Sequence, residues 1–318
     1  MLPADPCPVC ASRELLPMQQ HSDEDTNYTL FHCEVCSLEH WQPLAAPRAD
    51  YYEGEAQAMY AAMHEGGRRA EEDPRFSRFL DEFGSRTGAR LLDVGCADGA
   101  LMAAFRARGN EVWGIDIDTR SLGAARRRGL EVREATLDTV GDALGHDLRF
   151  DFITMFDVLE HLTAPRRALA LTSDLMAPGG YLVGTVPNRE RLFANLVDAD
   201  FPPHHFLRFD REALKETLVK AGFEPASVEV FQWGYSGPVL VNAAVRGVKR
   251  AILPLTRRFR RPAGTPSPDR TQGGDVGRRH WKHAAARIVT ASAARVLRPF
   301  ERGFGRGFKL YFVARWTG

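Results

Sequence analysis

The sequence predicts an α/β chain in which a mostly parallel sheet, faced by helices, is preceded by a small metal-stapled module. Three observations carry that expectation. Two Cys-x-x-Cys pairs, Cys7/Cys10 and Cys33/Cys36, lie within the first 45 residues. From residue 73 onward, strand patterns alternate with amphipathic helical ones, the order that builds a parallel sheet. The first such strand, Arg90-Leu91-Leu92-Asp93-Val94, runs into the loop Gly95-Cys96-Ala97-Asp98-Gly99 and then into a helix starting near Ala100.

At 318 residues and 44% apolar composition, the chain can bury one large core and still carry appendages. The expected organisation is a ribbon over 1–45, a connector and helix over 46–75, and a second domain over 76–318 with a basic insertion at about 236–306. The formal net charge is only +1, and the mean says nothing about a polyanionic partner. Its distribution says more: between Arg246 and Lys309, 17 Lys or Arg face three acids, net +14, which leaves 25 bases against 38 acids elsewhere, net −13. The stretch Met1-Leu2-Pro3-Ala4-Asp5 has neither the basic nor the apolar region of a secretory leader. No run approaches the roughly 18 apolar residues of a membrane span. The expected location is therefore cytoplasmic.

In a reducing compartment, close cysteine pairs read as metal ligands before they read as disulfides. Cys7-Pro8-Val9-Cys10 and Cys33-Glu34-Val35-Cys36 are separated by 22 residues, and Tyr28 to His32 alternates like a strand feeding the second pair. Four thiolates so arranged hold Zn²⁺ tetrahedrally and supply folding energy that about 40 residues do not otherwise collect. A closed Cys₄ site has no open position, so the expected zinc is structural. His21, His32 and His40 read as surface or packing residues rather than as ligands.

Beyond the connector, Phe76, Phe79, Leu80 and Phe83 share one face of a helix that starts at Asp73 and stops at Gly84 or Gly88. In the loop after the first strand, small residues let the backbone approach a ligand closely. The second strand, Glu111 to Asp116, ends in an acid and is followed by Ile117. An acid there is placed to accept hydrogen bonds from ribose hydroxyls, whichever adenosine cofactor is bound. The third strand, Leu130 to Arg133, leads to Ala135-Thr136-Leu137; the fourth, Phe150 to Phe156, ends in Asp157-Val158-Leu159-Glu160-His161. The fifth, Gly180 to Val186, follows a turn at Met176 to Gly180. The sixth is Ser227 to Phe231, and the terminal one, Phe308 to Val313, follows an insertion of about 70 residues.

The stretch Leu91 to Gly99 resembles the cofactor motif of class I S-adenosylmethionine-dependent methyltransferases, an acidic residue followed by alternating glycines. Its spacing (Asp93, Gly95, Gly99) departs from the G-x-G-x-x-G of dinucleotide enzymes. Ala97 stands where the family has its middle glycine, which fits if Ala97 keeps a negative φ. The resemblance covers roughly residues 76–232, with Gly307 to Trp316 as the last strand. It implies a Rossmann-like seven-stranded, mostly parallel sheet with an antiparallel last strand, and S-adenosyl-L-methionine as cofactor. By position, Asp93, Gly95, Cys96, Ala97, Gly99, Asp116, Ile117, Thr136, Leu137 and Phe156 would bind the cofactor, Asp93 through the loop or the methionine ammonium, Asp116 at the ribose, and Thr136 and Leu137 at the adenine. Cys96 reads as small filler rather than as a nucleophile.

On the acceptor side the candidates are Asp157, Glu160, His161, His204 and His205. The i, i+3, i+4 spacing of Asp157, Glu160 and His161 puts them on one helix face. With His204-His205 they resemble the metal site of small-RNA 2′-O-methyltransferases and some quinone O-methyltransferases, which implies a divalent ion against the acceptor oxygen. The same Glu-His occurs in relatives where it only bonds the sheet edge or the cofactor, and both readings stay open. In the insertion, Pro238 to Leu253 and His283 to Phe300 place apolar residues at helical spacing with arginines between. Basic amphipathic helices suit an anionic membrane surface, here over 238–306, and with it a peripheral place at the inner membrane face. RNA competes, although only Phe259, Trp281 and Phe300 offer stacking rings; a solvated lid or dimer contact is the third reading. Bacterial enzymes with a similar ribbon, sheet and Arg-rich insertion resemble those acting on sugars, polysaccharides or lipid-linked intermediates. Sugar C-methyltransferases share the ribbon but carry a further C-terminal domain, which leaves O-methylation ahead. The alternatives are an RNA methyltransferase and a non-catalytic zinc-ribbon binding module, against which Asp93 and Asp116 argue.

Overall fold

The computed structural model describes residues 4–23, 26–45, 69–191, 200–231 and 308–318. The chain divides into two units, one of Met1–Arg189, Phe201–Phe231 and Lys309–Gly318, the other of Glu190–Asp200 and Gln232–Phe308. Within the second, Arg191 pairs with Asp200 and lies 5.0 Å from the centre of the Phe308 ring. The expected helix after Tyr51 and the basic insertion at 236–306 lie outside the described residues. Among the described residues, both sheets and their helices belong to the first unit.

The N-terminal module is an antiparallel sheet of β1 (Leu15–Asp23), β2 (Thr26–Cys33) and β3 (Glu39–Gln42). Tyr28 and Leu30 alternate inward from β2, as the sequence pattern requires, and pack with fully buried Leu38 and Trp41. A fourth strand, β9 (Leu207–Arg208), pairs with β3, so a segment about 170 residues away in sequence completes the ribbon sheet.

The large sheet has the order β10-β11-β8-β7-β4-β5-β6. Its strands are β4 (Arg90–Val94), β5 (Glu111–Asp116), β6 (Glu131–Glu134), β7 (Phe150–Phe156), β8 (Met176–Pro187), β10 (Phe223–Phe231) and β11 (Lys309–Trp316). The pairs from β6 across to β8 are parallel, and β11 runs antiparallel to both its neighbours. Leu91, Leu92, Phe152 and Ile153 are buried whichever face they occupy, because helices cover both sides. The strand order reverses between β4 and β7, opening a crevice at their carboxyl ends. One expectation shifts: β8 begins at Met176, not Gly180. Met176 pairs with Phe150 and Tyr181 with Phe152, so the expected turn is absorbed as an irregularity in which Gly179 takes φ +77°.

The helices are α1 (Pro74–Phe83), α2 (Ala100–Arg106), α3 (Thr119–Arg127), α4 (Val140–Leu144), α5 (Pro165–Leu175) and α6 (Arg211–Lys220). Asp73, Asp118 and Asp210 cap α1, α3 and α6 by accepting backbone N–H groups, and Pro74 follows Asp73 where its missing N–H costs nothing. On the buried face of α1, made of Phe79, Leu80 and Phe83, Phe79 packs edge-on against Phe105 and Phe152, and Phe83 lies tilted on Phe152. Burying such side chains contributes about 1.5–3 kcal/mol each, which fixes α1 against the sheet beside the crevice.

Candidate functional site

The loop between β4 and α2 is tied to the tip of β5. Gly95 N–H and Cys96 N–H both donate to the Ile115 carbonyl, at 2.8 and 3.1 Å. Asp116 Oδ2 accepts from Ala97 N–H and Oδ1 from Asp118 N–H, each at 2.8 Å. Asp116 thus braces the loop while each of its oxygens keeps lone-pair capacity, since a carboxylate oxygen accepts more than one bond. Burial raises its affinity for a proton above the usual carboxylate range, and the backbone donors oppose that. Ile117, next along, is 57% exposed.

Gly95 and Gly99 both adopt positive φ, and a Cβ on Gly95 would meet Val158 Cγ2 at 2.8 Å. Ala97 also sits at φ +47°, contrary to the expected negative value. Its N–H bond to Asp116, and the Asp98 carboxylate that caps Ala100 N–H and pairs with Arg128, hold the turn. Left-handed backbone costs an alanine about 1–2 kcal/mol, which those bonds offset. Cys96 is filler: it packs where Gly114 leaves room, a Cβ there lying 2.7 Å from Cys96 Sγ, and burial pushes its thiol well above the ordinary value.

Asp93 is 4% exposed and accepts a 2.6 Å bond from Thr154 Oγ1 on β7. Burial raises its carboxyl to about 7 despite that bond. Leu137 is buried, Thr136 is exposed, and Phe156 sets its ring edge-to-face on Phe76 of α1, 5.3 Å between centres.

At the end of β7 the five acceptor-side candidates separate into two groups. Asp157 takes φ +61° and is followed by a 3₁₀ turn, Leu159–His161, so the helix face expected from the spacing does not form. Its carboxylate turns to cations instead. Oδ2 receives Arg75 Nη1 at 2.6 Å and the Lys309 ammonium, while Oδ1 accepts from Thr185 Oγ1 at 2.8 Å. Burial alone would raise Asp157, but Lys309 and Arg75 hold it at about 2. Arg75 also grips Asp73 through two nitrogens.

The other four come together. His161, His204 and His205 stack and tilt with ring centres 4.6–4.7 Å apart, and one nitrogen from each lies within 4.8 Å of the others. His161 Nδ1 lies 2.6 Å from the His204 carbonyl. A carbonyl only accepts, so Nδ1 carries the proton and Nε2 is the basic nitrogen. Burial keeps His161 and His204 neutral, His204 down at about 3. Glu160 is fully buried, neither oxygen has a hydrogen-bond partner among the described residues, and Oε1 is 4.0 Å from His205 Nε2. Burial, then the charge of Asp157, raises its carboxyl far above the ordinary range.

In the ribbon, Cys7 Sγ lies 3.5 Å from Cys36 Sγ, Cys10 Sγ lies 3.5 Å from Cys33 Sγ, and all four sulfurs fall within 4.8 Å. A tetrahedron with 2.3 Å bonds has edges of about 3.8 Å. The two knuckles repeat one backbone turn: Ala11 N–H donates to Cys7 O and Ser37 N–H to Cys33 O, with Ala11 at φ +61° and Ser37 at φ +58°.

Sequence reasoning missed Arg75 and Lys309. Arg75 lies two residues inside the capped start of α1, and Lys309 opens the terminal strand opposite Pro187. Nothing local marks Arg75; for Lys309 the one local signal is a Lys at the head of the apolar run Leu310–Ala314.

The methyltransferase-domain family matches residues 66–228, just over half of the chain. The ubiquinone biosynthesis O-methyltransferase of Marinobacter nauticus is 30% identical over 169 residues, covering 48% of this chain and 71% of that protein. Its counterpart in Alkalilimnicola ehrlichii is 36% identical over 112 residues, 33% of this chain and 44% of that protein. The chain spans about half the length of several of these curated relatives. A SAM-dependent methyltransferase from Archaeoglobus fulgidus shares the fold with a TM-score of 0.52 at 18% identity, covering 82% of this chain and 100% of that one. The loop braced between β4 and β5, the strand order and these matches agree, and the chain belongs to the class I S-adenosylmethionine-dependent methyltransferases.

Proposed function

We propose that the protein methylates a hydroxyl oxygen of a small-molecule acceptor of the sugar, polysaccharide or lipid-linked class. The observation that carries this is the His161, His204, His205 and Glu160 cluster at the end of β7, beside the cofactor crevice. Oxygen as the acceptor atom is supported by the relatives, which are O-methyltransferases by name.

S-adenosylmethionine supplies an electrophilic methyl group on its sulfonium, so the protein's task is to align the acceptor and take its proton. In this reading Asp116 accepts the ribose hydroxyls with its remaining lone pairs, and exposed Ile117, with Thr136 and Leu137, flanks the adenine. The loop from Gly95 to Gly99 admits the methionine moiety, Asp93 balances its ammonium, and Phe156 backs the site through α1. Arg75, close enough to influence both Asp93 and Asp157, closes the same end. His161 Nε2 is the base that receives the acceptor proton, held in the productive tautomer by the His204 carbonyl.

The cluster also fits a divalent ion. Three imidazole nitrogens within 4.8 Å, with a buried carboxylate that accepts no hydrogen bond among the described residues beside them, form a ligand set of the kind that binds such ions. His161, His204, His205 and Glu160 would hold it, His161 through Nε2 as a ligand in place of its role as base, and the ion would lower the pKa of the acceptor hydroxyl. Asp157 does not belong to that set, being committed to Arg75 and Lys309. The four ribbon cysteines fit Zn²⁺ as a closed, structural site.

Among the described residues no helix is long and apolar enough to cross a membrane. The charge of residues 238–306 supports contact with an anionic surface at the inner face of a membrane, by a protein otherwise cytoplasmic. Activity is tested by following methyl transfer from isotopically labelled S-adenosylmethionine to sugar nucleotides, lipid-linked sugars, phenolic quinone precursors and RNA. Label in an ether-linked methyl of the first two classes is the expected result; label only in quinone precursors or RNA, or in none, overturns it. His161→Ala should leave cofactor affinity within about twofold and lower turnover about 10²–10⁴-fold.

A further inference from the structure

The segment that carries His204 and His205 is built into the ribbon rather than merely near it. β9, starting two residues after His205, is the fourth strand of the ribbon sheet, with Glu39 opposite Arg208 and His40 opposite Leu207. Between them, Phe206 is fully buried and its peptide bridges the two parts. Trp41 N–H of the ribbon donates to Phe206 O, and Phe206 N–H donates to Glu160 O, both at 2.9 Å. The aromatic residues bracketing the histidines are gripped as well: Phe201 lies 4.7 Å from His21 and 5.8 Å from Trp41, and Phe206 lies 6.3 Å from Tyr28, between ring centres.

The electrostatic tie starts beside the metal-type knuckle. Ser37, directly after Cys36, gives its carbonyl to Arg189, which also pairs with Asp210 and lies 3.8 Å from Glu39. Glu39 in turn reaches Arg208 at 3.5 Å. Glu39, Arg189 and Arg208 are each only about one-eighth exposed, so these pairs are poorly screened. The stretch from Asp93 to Gly99, by contrast, bonds to Ile115, Asp116, Arg128 and Thr154, all of them outside the ribbon and β9.

We propose that the Cys₄ ribbon is the positioning element for His204 and His205, with Glu39 and Arg189 as the coupling residues. The state of the cysteine centre then sets the geometry of the acceptor-side histidines and leaves the cofactor loop untouched. The ribbon is a wall of the reaction site and not a detached module. Its bearing on catalysis rests on the proposed acceptor chemistry, whereas the mechanical coupling does not.

The test uses the full chain loaded with zinc. Glu39→Ala and Arg189→Met should keep one zinc per chain and bind S-adenosylmethionine within about twofold of the parent. Amide exchange over 200–209 should accelerate at least tenfold with exchange over 90–118 unchanged. The imidazole ¹⁵N resonances of His204 and His205 should move while that of exposed His146 stays. Glu39→Asp should restore most of the protection. Extracting zinc with a mercurial thiol reagent should give the same exchange pattern. Unchanged protection of 200–209 and unmoved His204 and His205 resonances in both variants overturn the proposal, whatever zinc extraction does to the rest of the chain. If coupling holds but His204→Ala and His205→Ala turn over normally, the positioning stands and the acceptor reading fails.

Discussion

Asp93 offers a test that separates cofactor function from stability. It is buried, its carboxylate accepts from Thr154 Oγ1 at 2.6 Å, and its carboxyl is raised to about 7 from 3.8. A carboxyl whose folded pKa is raised binds more protons in the native than in the unfolded chain between those two values. Stability therefore falls as pH rises through that window and levels off above about 7. Each pH unit well inside the window costs about 1.36 kcal/mol and the slope halves at the folded pKa, so from pH 5 to pH 7 the wild type should lose roughly 2.3 kcal/mol that Asp93→Asn does not. Asn keeps an oxygen for Thr154 and removes the charge. The assay is urea unfolding of both proteins without cofactor at pH 5, 6, 7 and 8, taking the difference between them so that all other titrations cancel. The variant should gain on the parent by roughly 1.4 kcal/mol per unit from pH 5 to 6, by less as pH 7 is crossed, and by almost nothing above pH 8. Calorimetry should show that same stabilised variant binding S-adenosylmethionine more weakly, because the counter-charge proposed for the methionine ammonium is gone. Parallel pH profiles for the two proteins would refute the reasoning, since they would mean that Asp93 ionises in the folded chain as easily as in water.

Asp116→Ala removes the acceptor proposed for two ribose hydroxyls and the brace on Ala97. At about 1.5–3 kcal/mol for each charge-assisted bond, cofactor affinity should fall more than a hundredfold by calorimetry while zinc content is unchanged from the parent. Gly114→Ala drives a methyl to 2.6 Å from Met102 Sδ and 2.7 Å from Cys96 Sγ, and should cost about 1–3 kcal/mol in urea unfolding with weakened cofactor binding. Lys309→Met leaves the Asp157 charge with half its cationic cover; breaking such a buried pair costs about 3–5 kcal/mol, measured at pH 7 where Asp157 is ionised in both states. The loss should shrink as pH falls from about 4 toward 2, because the depressed carboxyl contributes its stability only above the unfolded value.

The parts of this protein that its sequence determined are those where neighbours in the chain do the work. Hydrophobic runs at residues 90–94, 111–116 and 150–156 made buried strands at those bounds or within a residue, and Asp73 with Pro74 set the start of α1. The cysteine spacing brought four sulfurs together, and the loop at Gly95 to Gly99 declared the cofactor class. What only the tertiary structure decided depends on contacts far apart in sequence or on a backbone angle. Ala97 adopts positive φ because a carboxylate 19 residues away pulls its N–H, a strain no local pattern predicts. Asp157 leaves the acceptor group because Lys309, 152 residues on, and Arg75, 82 residues back, neutralise it, and the positive φ at Asp157 breaks the helix spacing that sequence reading relied on. The histidine pair joins the ribbon through β9 and the aromatic residues around it, and β9's two residues are too short to show a period; such pairing is specified by the partner strand, and its register is invisible until both are in place.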